Sequence, residues 1–380
     1  MRRVFYCVWV LLLGLCGFVL LGTGFKAFGR RLIFQETRNG YTSQGFYDLT
    51  LLEENWKNIK VYDHAVNPPL ESAEVITFGD SFFDAVQDSP LFSEVLAQRL
   101  GRPVYNHASW TFENPNVDHN PAGFLGSVQY RKGEKKFLIL ESVERLAFLK
   151  SGYYQPGEPL SGKKNLVNRL NSGMNWRLRS ADQWLRKYVI LLNNDNPDFR
   201  HFLANNVLLY PVSKWIAEAK FRWLGDIHPL IDRHYDRRSK MFFFAEEVAL
   251  NRRVKPVQKI ESLVENIVHV ARELREKYNI ELIYLIMPNK YSIYNDLVRP
   301  AYDYDGFIPK INELLTEQGV RTIDVYSAYI DYRRKGGEQW LYYPSGSHYT
   351  PLGKDILANA VAKELPTILP NESTVNSHER

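Results

Sequence analysis

Residues 74–82 read Glu74-Val75-Ile76-Thr77-Phe78-Gly79-Asp80-Ser81-Phe82. The first five form a short buried strand, and Gly79 ends it. An apolar strand this short suits a parallel sheet covered on both faces. Working outward, the rest of the chain agrees. From Pro90 to Leu100, residues Leu91, Phe92, Val95, Leu96 and Leu100 fall on one helical face. Val104-Tyr105, after Pro103, is a second short strand, and Phe137 to Leu140 is a continuous apolar run suited to a central one. A long helix follows at about 255–277, with Val257, Ile260, Val264, Ile267, Ala271 and Leu274 at helical spacing. Strand Leu282–Met287 stops at Pro288, and strand Arg321–Val325 precedes the last helix. Thr350 can cap that helix, Pro351 takes its first position, and it continues through Leu365. Strands alternating with helices predict an α/β fold with a central parallel sheet. Residues 150–250, rich in Trp, Arg, Tyr and Asn, interrupt the alternation as an insertion of helices and loops.

The chain has 380 residues, 45% hydrophobic and 24% charged, which excludes a disordered polymer. A net charge of +5 over this length is too dilute for a nucleic-acid-binding surface. Cys7 and Cys16 are the only cysteines, so a zinc ribbon or disulfide framework is excluded. His107, Asp118 and His119 lack ordered ligand spacing, and neither a metal nor a cofactor is expected. Val4 to Phe25 carries no charged side chain; at about 1.5 Å per residue it spans a bilayer core of roughly 30 Å. No small-x-small cleavage site follows it, so it reads as an uncleaved anchor, one N-terminal transmembrane helix. The expected organisation is an anchor over 1–31, a connecting segment over 32–73, one domain over 74–370 and a polar tail over 371–380.

Three segments with chemical potential lie at predicted strand ends: Gly79-Asp80-Ser81-Phe82, Glu141 to Arg145, and Met287 to Lys290. In parallel α/β sheets, sites gather at the carboxyl ends of the strands. A serine on a strand-to-helix turn has an exposed hydroxyl with backbone N–H groups beside it, although Ser81 and Asp80 are also ordinary helix caps. A serine needs a base near neutral pH, and His348, on the loop entering the last helix, can supply it. Glu141 and Arg145 can pair with each other if a helix starts there. Lys290 can hold an anionic sugar or snorkel.

At these residues the sequence resembles the SGNH/GDSL hydrolase superfamily. Gly79-Asp80-Ser81-Phe82 and a histidine loop before a C-terminal helix carry the likeness. It is closer to membrane-anchored SGNH-like proteins of exopolysaccharide (alginate-type) O-acetylation. Their blocks look like Glu141-Ser142-Val143-Glu144-Arg145, Pro288-Asn289-Lys290 with Tyr294, and Leu341-Tyr342-Tyr343 leading to His348-Tyr349-Thr350-Pro351-Leu352-Gly353. The likeness covers about residues 70–365. It implies a flavodoxin-like three-layer sandwich, with Ser81, His348 and Asp80 as the catalytic set. Asn106, Ser109, Glu141, Arg145, Lys290 and Tyr349 are implied as substrate contacts, with the 106–109 loop offering a second oxyanion donor. The relatives usually place an Asp two or three residues before the histidine; this chain has Gly346 and Ser345. Asp324 or Asp84 could replace it, or Ser81 and His348 could act as a dyad.

The resemblance implies an extracytoplasmic O-acyltransferase, of acetyl above all, acting on a cell-surface polysaccharide from the cytoplasmic membrane. A multi-spanning membrane acyltransferase would hand over the acyl group, and Tyr153, Tyr154, Trp176 and Trp184 could contact glycan. A non-catalytic glycan-binding or scaffold subunit, supported by the missing Asp, and a polysaccharide deacetylase are the alternatives.

Overall fold

The computed structural model describes residues 6–14, 17, 64–83, 89–109, 114–154, 215, 218–219, 221–223, 231–232, 241–253, 255–298, 303–344 and 346–365. Contacts divide the chain into two units, residues 1–61 with 165–227, and residues 62–164 with 228–380. The second unit holds the sheet. Its elements run β1 (Val75–Gly79), α1 (Phe92–Leu100), β2 (Val104–Ala108), α2 (Pro121–Ser127), β3 (Lys136–Val143), α3 (Ala147–Ser151) and α4 (Ala245–Asn251). They continue with α5 (Val257–Glu273), β4 (Ile280–Met287), α6 (Lys290–Tyr294), α7 (Phe307–Glu317), β5 (Arg321–Ile323), α8 (Val325–Arg334) and α9 (Pro351–Glu364).

The five strands pair in parallel in the order β2-β1-β3-β4-β5. Alternate side chains of each strand enter two separate cores. Val75, Phe137, Ile139, Ile283 and Leu285 join Phe92 and Leu96 of α1, Val325 and Tyr329 of α8, and Leu357 and Val361 of α9. Ile76, Leu138, Leu140, Leu282 and Tyr284 join Leu125 of α2, Leu263 and Ile267 of α5, and Ile308 and Ile311 of α7. Both sheet faces are therefore covered, which is why the central strands β1, β3 and β4 are buried nearly throughout and carry continuous apolar runs, not an alternating pattern. At about 25 cal/mol per Å² of buried apolar surface, these two cores dominate the stability of the unit. The expected parallel sheet between helical layers is what forms.

Several boundaries move. β2 runs to Ala108, so Asn106 and His107 are strand residues, not loop residues. Strand β5 ends at Ile323 because Asp324 caps α8, accepting from Ser327 N at 2.9 Å and Ser327 Oγ at 2.6 Å. Helix α9 starts as read: Pro351 opens it and Thr350 Oγ1 accepts from Gly353 N. The expected anchor and connecting segment fall largely outside the described residues, as do the tail and most of the 150–250 insertion. Among the described residues no helix is long and apolar enough to cross a membrane. Residues 6–14 are helical, with Tyr6, Val10 and Leu11 well exposed.

Candidate active site

The order 2-1-3-4-5 changes winding direction between β1 and β3, and crevices form there at the carboxyl ends of the strands. Gly79 closes β1 at that point. A Cβ on it would sit 2.8 Å from Glu141 Oε2 and 2.8 Å from Phe83 Cδ2, so only a glycine lets the turn pass this close to β3. Ser81 follows two residues later and is half-buried.

His348 Nε2 lies 2.8 Å from Ser81 Oγ, although the two residues are 267 positions apart. The imidazole is buried and stacks on Phe82, with centroids 4.7 Å apart and planes at 25°. Its other nitrogen, Nδ1, lies 3.2 Å from Ser347 Oγ. Burial first, then the positive charges of Arg145 and Lys290, push its pKa down to about 3 against the opposing pull of Asp80. The imidazole is therefore neutral across the physiological range. Among the described residues no acceptor takes the Ser81 N–H, which leaves it for a developing oxyanion.

Asp80 does not reach the imidazole as a hydrogen-bond partner. Its Oδ1 accepts from Phe82 N at 3.1 Å and its Oδ2 from Lys150 Nζ at 2.8 Å. Burial works to raise its pKa, but the Lys150 charge and hydrogen bond prevail and hold it at about 2. The neighbouring Glu141, fully buried, accepts from Asp80 N at 2.9 Å and lies 3.6 Å from Lys150 Nζ. Burial and the Asp80 charge raise its pKa to about 8. Lys150, despite burial, is held above the ordinary lysine range by Asp80 and Glu141. This buried trio fixes the turn carrying Ser81, and Lys150 was absent from the sequence reading. Nothing in a surface-like Leu149-Lys150-Ser151 run marks it.

Several expected contacts are committed elsewhere. Glu141 and Arg145 do not pair with each other, because Glu141 is on β3 and the chain turns at Glu144. Arg145 Nη1 instead donates to Glu247 Oε1 at 3.0 Å, and its guanidinium lies 5.4 Å over the Phe244 ring. Asn106 Nδ2 donates to Phe83 O and its Oδ1 accepts from Thr77 Oγ1, while Ser109 N donates to Gly79 O. Those groups fasten β2 to the nucleophile turn, so the second oxyanion donor expected there is already in use. Lys290 Nζ donates to the carbonyls of Tyr343 (3.1 Å), Pro344 (2.9 Å) and Gly346, holding the histidine loop from below. Tyr349 is buried and its hydroxyl donates to Phe82 O. Tyr153 and Tyr154 are also buried, which removes them as glycan platforms. Trp176, Trp184 and Asp84 lie outside the described residues. Asp324 is exposed and spent on its helix cap.

The sequence blocks also meet one another. Asn289 N donates to Glu144 Oε2 at 2.9 Å, and Asn289 Oδ1 accepts from Arg145 N at 3.3 Å. Ser292 Oγ donates to Glu144 Oε2 at 2.6 Å. Burial raises the Glu144 carboxyl to about 7 against these bonds. The segments after β3 and β4 thus form one buried polar joint. Among the described residues no group of three or more His, Cys, Asp or Glu could hold a metal.

The family described as "SGNH hydrolase-like domain, acetyltransferase AlgX" matches residues 240–378, the arm bearing Lys290 and His348. Over that stretch, just over a third of the chain, the sequence resembles the SGNH hydrolase-like domain of AlgX. No curated protein matches it. A solved structure from Slackia heliotrinireducens, described provisionally as an SGNH hydrolase, shares 12% identity at a TM-score of 0.31, over 77% of this chain and 99% of its own. A second solved chain shares 12% identity at a TM-score of 0.33, over 80% of this chain and 100% of its own. Neither superposition is close enough to carry an argument. The AlgX-type match supports a coarse role of the acetyltransferase or esterase kind.

Proposed function

We propose that this protein is an extracytoplasmic O-acyltransferase that moves an acetyl group onto a hydroxyl of a cell-surface or secreted polysaccharide. The observation that carries the reading is the 2.8 Å approach of His348 Nε2 to Ser81 Oγ beside an open Ser81 N–H. In the first half-reaction, Nε2 takes the Ser81 proton while Oγ attacks the acyl carbonyl carbon. The oxyanion faces the Ser81 N–H. Collapse breaks the bond to the donor's leaving group, which takes the proton from His348, and leaves an ester on Ser81. In the second half, a sugar hydroxyl gives its proton to Nε2 and attacks the ester. Ser81 departs, recovers the proton, and the sugar keeps the acetyl group.

Transfer in preference to hydrolysis requires the acceptor to displace water. Arg145, 15% exposed at its side chain and close enough for its charge to act on His348, is the residue best placed to contact it. The apolar Val4–Phe25 run supports anchorage in the cytoplasmic membrane with the catalytic domain outside. A membrane-bound acyltransferase would then supply the acetyl group, since soluble thioesters do not reach that side. The absence of a carboxylate at Gly346 favours a second reading, a glycan-binding subunit that turns nothing over.

The test is intact-mass spectrometry of the full chain in detergent after incubation with p-nitrophenyl acetate. One acetyl adduct, lost in Ser81→Ala and slowed in His348→Ala, is the expected result. Equal labelling of all three proteins removes the catalytic reading and leaves the binding subunit. Adding acceptor polysaccharide then separates transfer, which acetylates the polymer, from deacetylation, which releases acetate.

A further inference from the structure

We propose that Ser347 and Lys290 do in this chain the orienting work that a carboxylate does at other serine–histidine sites. Ser347 accepts the Nδ1 proton of His348, and Lys290 fixes the loop that carries both residues. The proposal deepens the acyl-transfer reading and rests on it for its meaning.

Proton arithmetic assigns the first part. For Nε2 to take the Ser81 proton, the neutral imidazole must carry its own proton on Nδ1. Ser347 Oγ is 3.2 Å from Nδ1 and is itself buried, so it is the acceptor that fits this tautomer. The reverse arrangement, with Ser347 donating, would put the proton on Nε2 and aim it at Ser81, leaving no base. A hydroxyl selects the tautomer and sets the ring plane. Being neutral, it does not stabilise an imidazolium as a carboxylate would. Stacking on Phe82 sets the same plane from one side of the ring.

The second part follows from the loop. A hydroxyl one residue away orients the ring only if the backbone between them is fixed. Residues 341–350 close on themselves through Tyr343 N to His348 O at 3.0 Å and Thr350 N to Leu341 O at 2.8 Å, and through a bridge between Tyr342 and Tyr349. The carbonyls of Tyr343, Pro344 and Gly346 converge on Lys290 Nζ, three acceptors for the three N–H groups of one ammonium. Lys290 is 1% exposed and starts α6 directly after β4, so the clamp is rooted in the sheet. It is a positioning residue, since its charged group ends on backbone carbonyls two to five residues before His348.

The experiment uses full-length protein in detergent, labelled with ¹⁵N in its histidines, and reads the His348 tautomer by long-range ¹H–¹⁵N correlation. Loss of signals in His348→Gln assigns the ring. The expected spectrum is a neutral Nδ1–H ring from pH 5 to 8. Ser347→Ala should lose that tautomer preference and slow Ser81 acetylation by p-nitrophenyl acetate roughly 10- to 100-fold. Ser347→Thr, which keeps the hydroxyl, should restore both. Lys290→Met should give mixed tautomers and a similar rate loss. A wild-type ring protonated on Nε2, or Ser347→Ala with tautomer and rate unchanged, overturns the role of Ser347. Unchanged tautomer and rate in folded Lys290→Met overturn the clamp. An Nδ1–H ring in a protein whose Ser81 is never acylated instead removes the acyl-transfer reading and leaves the orientation standing.

Discussion

His348 is buried between Phe82 and its own loop, and its neutral state follows from that burial with Arg145 and Lys290 nearby. A base held neutral is always in its accepting form, but an imidazole with a pKa near 3 accepts a proton weakly. The chemical step therefore depends on geometry more than on basicity. The pH dependence follows. A depressed pKa places the acidic limb of Ser81 acylation far below the ordinary histidine value of 6.5, so the rate at pH 5 should match that at pH 6.5. Stopped-flow release of p-nitrophenol across pH 4–8 measures it. A half-loss of rate near pH 6.5 would show an ordinary solvated histidine and remove the buried-base account. At this scale the sequence showed the reacting pair but not its surroundings. Ser81 and His348 stood out because each sits at an element boundary, and boundary position is legible in local pattern. The destination of a long side chain is not. Lys290 ends on carbonyls 53 to 56 residues away, and Arg145 on Glu247, 102 residues away. No local spacing encodes either partner.

Elements were legible where both faces of a strand are buried, because a continuous apolar run has few other uses. β1 and β4 were read nearly to their ends for that reason, whereas β3 was cut short at Leu140 because the buried Glu141 and Ser142 break its apolar run. β2 was cut short after Tyr105 because Asn106 and His107 break the apolar run. Yet Asn106 is paired to Asn67, Thr77 and Phe83, and His107 stacks on Phe78 and lies tilted against Phe124. Helix α7, between β4 and β5, and helix α8, between β5 and α9, went unread. The same scale governs the nucleophile turn, which β1 delivers and α3 secures through Lys150. Removing one member of a buried ion pair strands the other charge, at a cost of about 3–5 kcal/mol. Lys150→Met should therefore destabilise by about that amount, measured by urea unfolding of the full chain, because it leaves the ionised Asp80 without its partner. Adding Asp80→Asn to Lys150→Met should recover part of the loss. Equal and additive effects of the two substitutions would mean that the pair is not coupled.

For the whole molecule, four buried groups near the site pull stability in opposite directions with pH. Asp80 and His348 have folded pKa values of about 2 and about 3, below their ordinary values of 3.8 and 6.5. Where the unfolded chain holds more protons, stability rises with pH, so these two add stability up to pH 6.5 and lose it on acidification. Glu141 and Glu144 have folded values of about 8 and about 7, above the ordinary 4.5. The folded state keeps protons that the unfolded chain has released, so their contribution falls as pH rises from 4.5 toward 8. Above pH 6.5 only the falling pair remains in play among the four. Between pH 4.5 and 6.5 the two carboxyls outweigh the single imidazole, so thermal stability should peak at about pH 4.5 and drop toward pH 8, by at least about 3 °C if the buried carboxyls contribute about 1 kcal/mol or more. Differential scanning of wild type and Glu141→Gln across pH 4–8 makes the comparison. The variant cannot ionise at that position, so its decline between pH 6 and 8 should be shallower than wild type. A wild-type midpoint that climbs over the same interval would mean that the two carboxyls are ionised in the folded protein. The Asp80–Lys150–Glu141 trio would then hold a net negative charge, and the nucleophile turn would rest on a different balance from the one described.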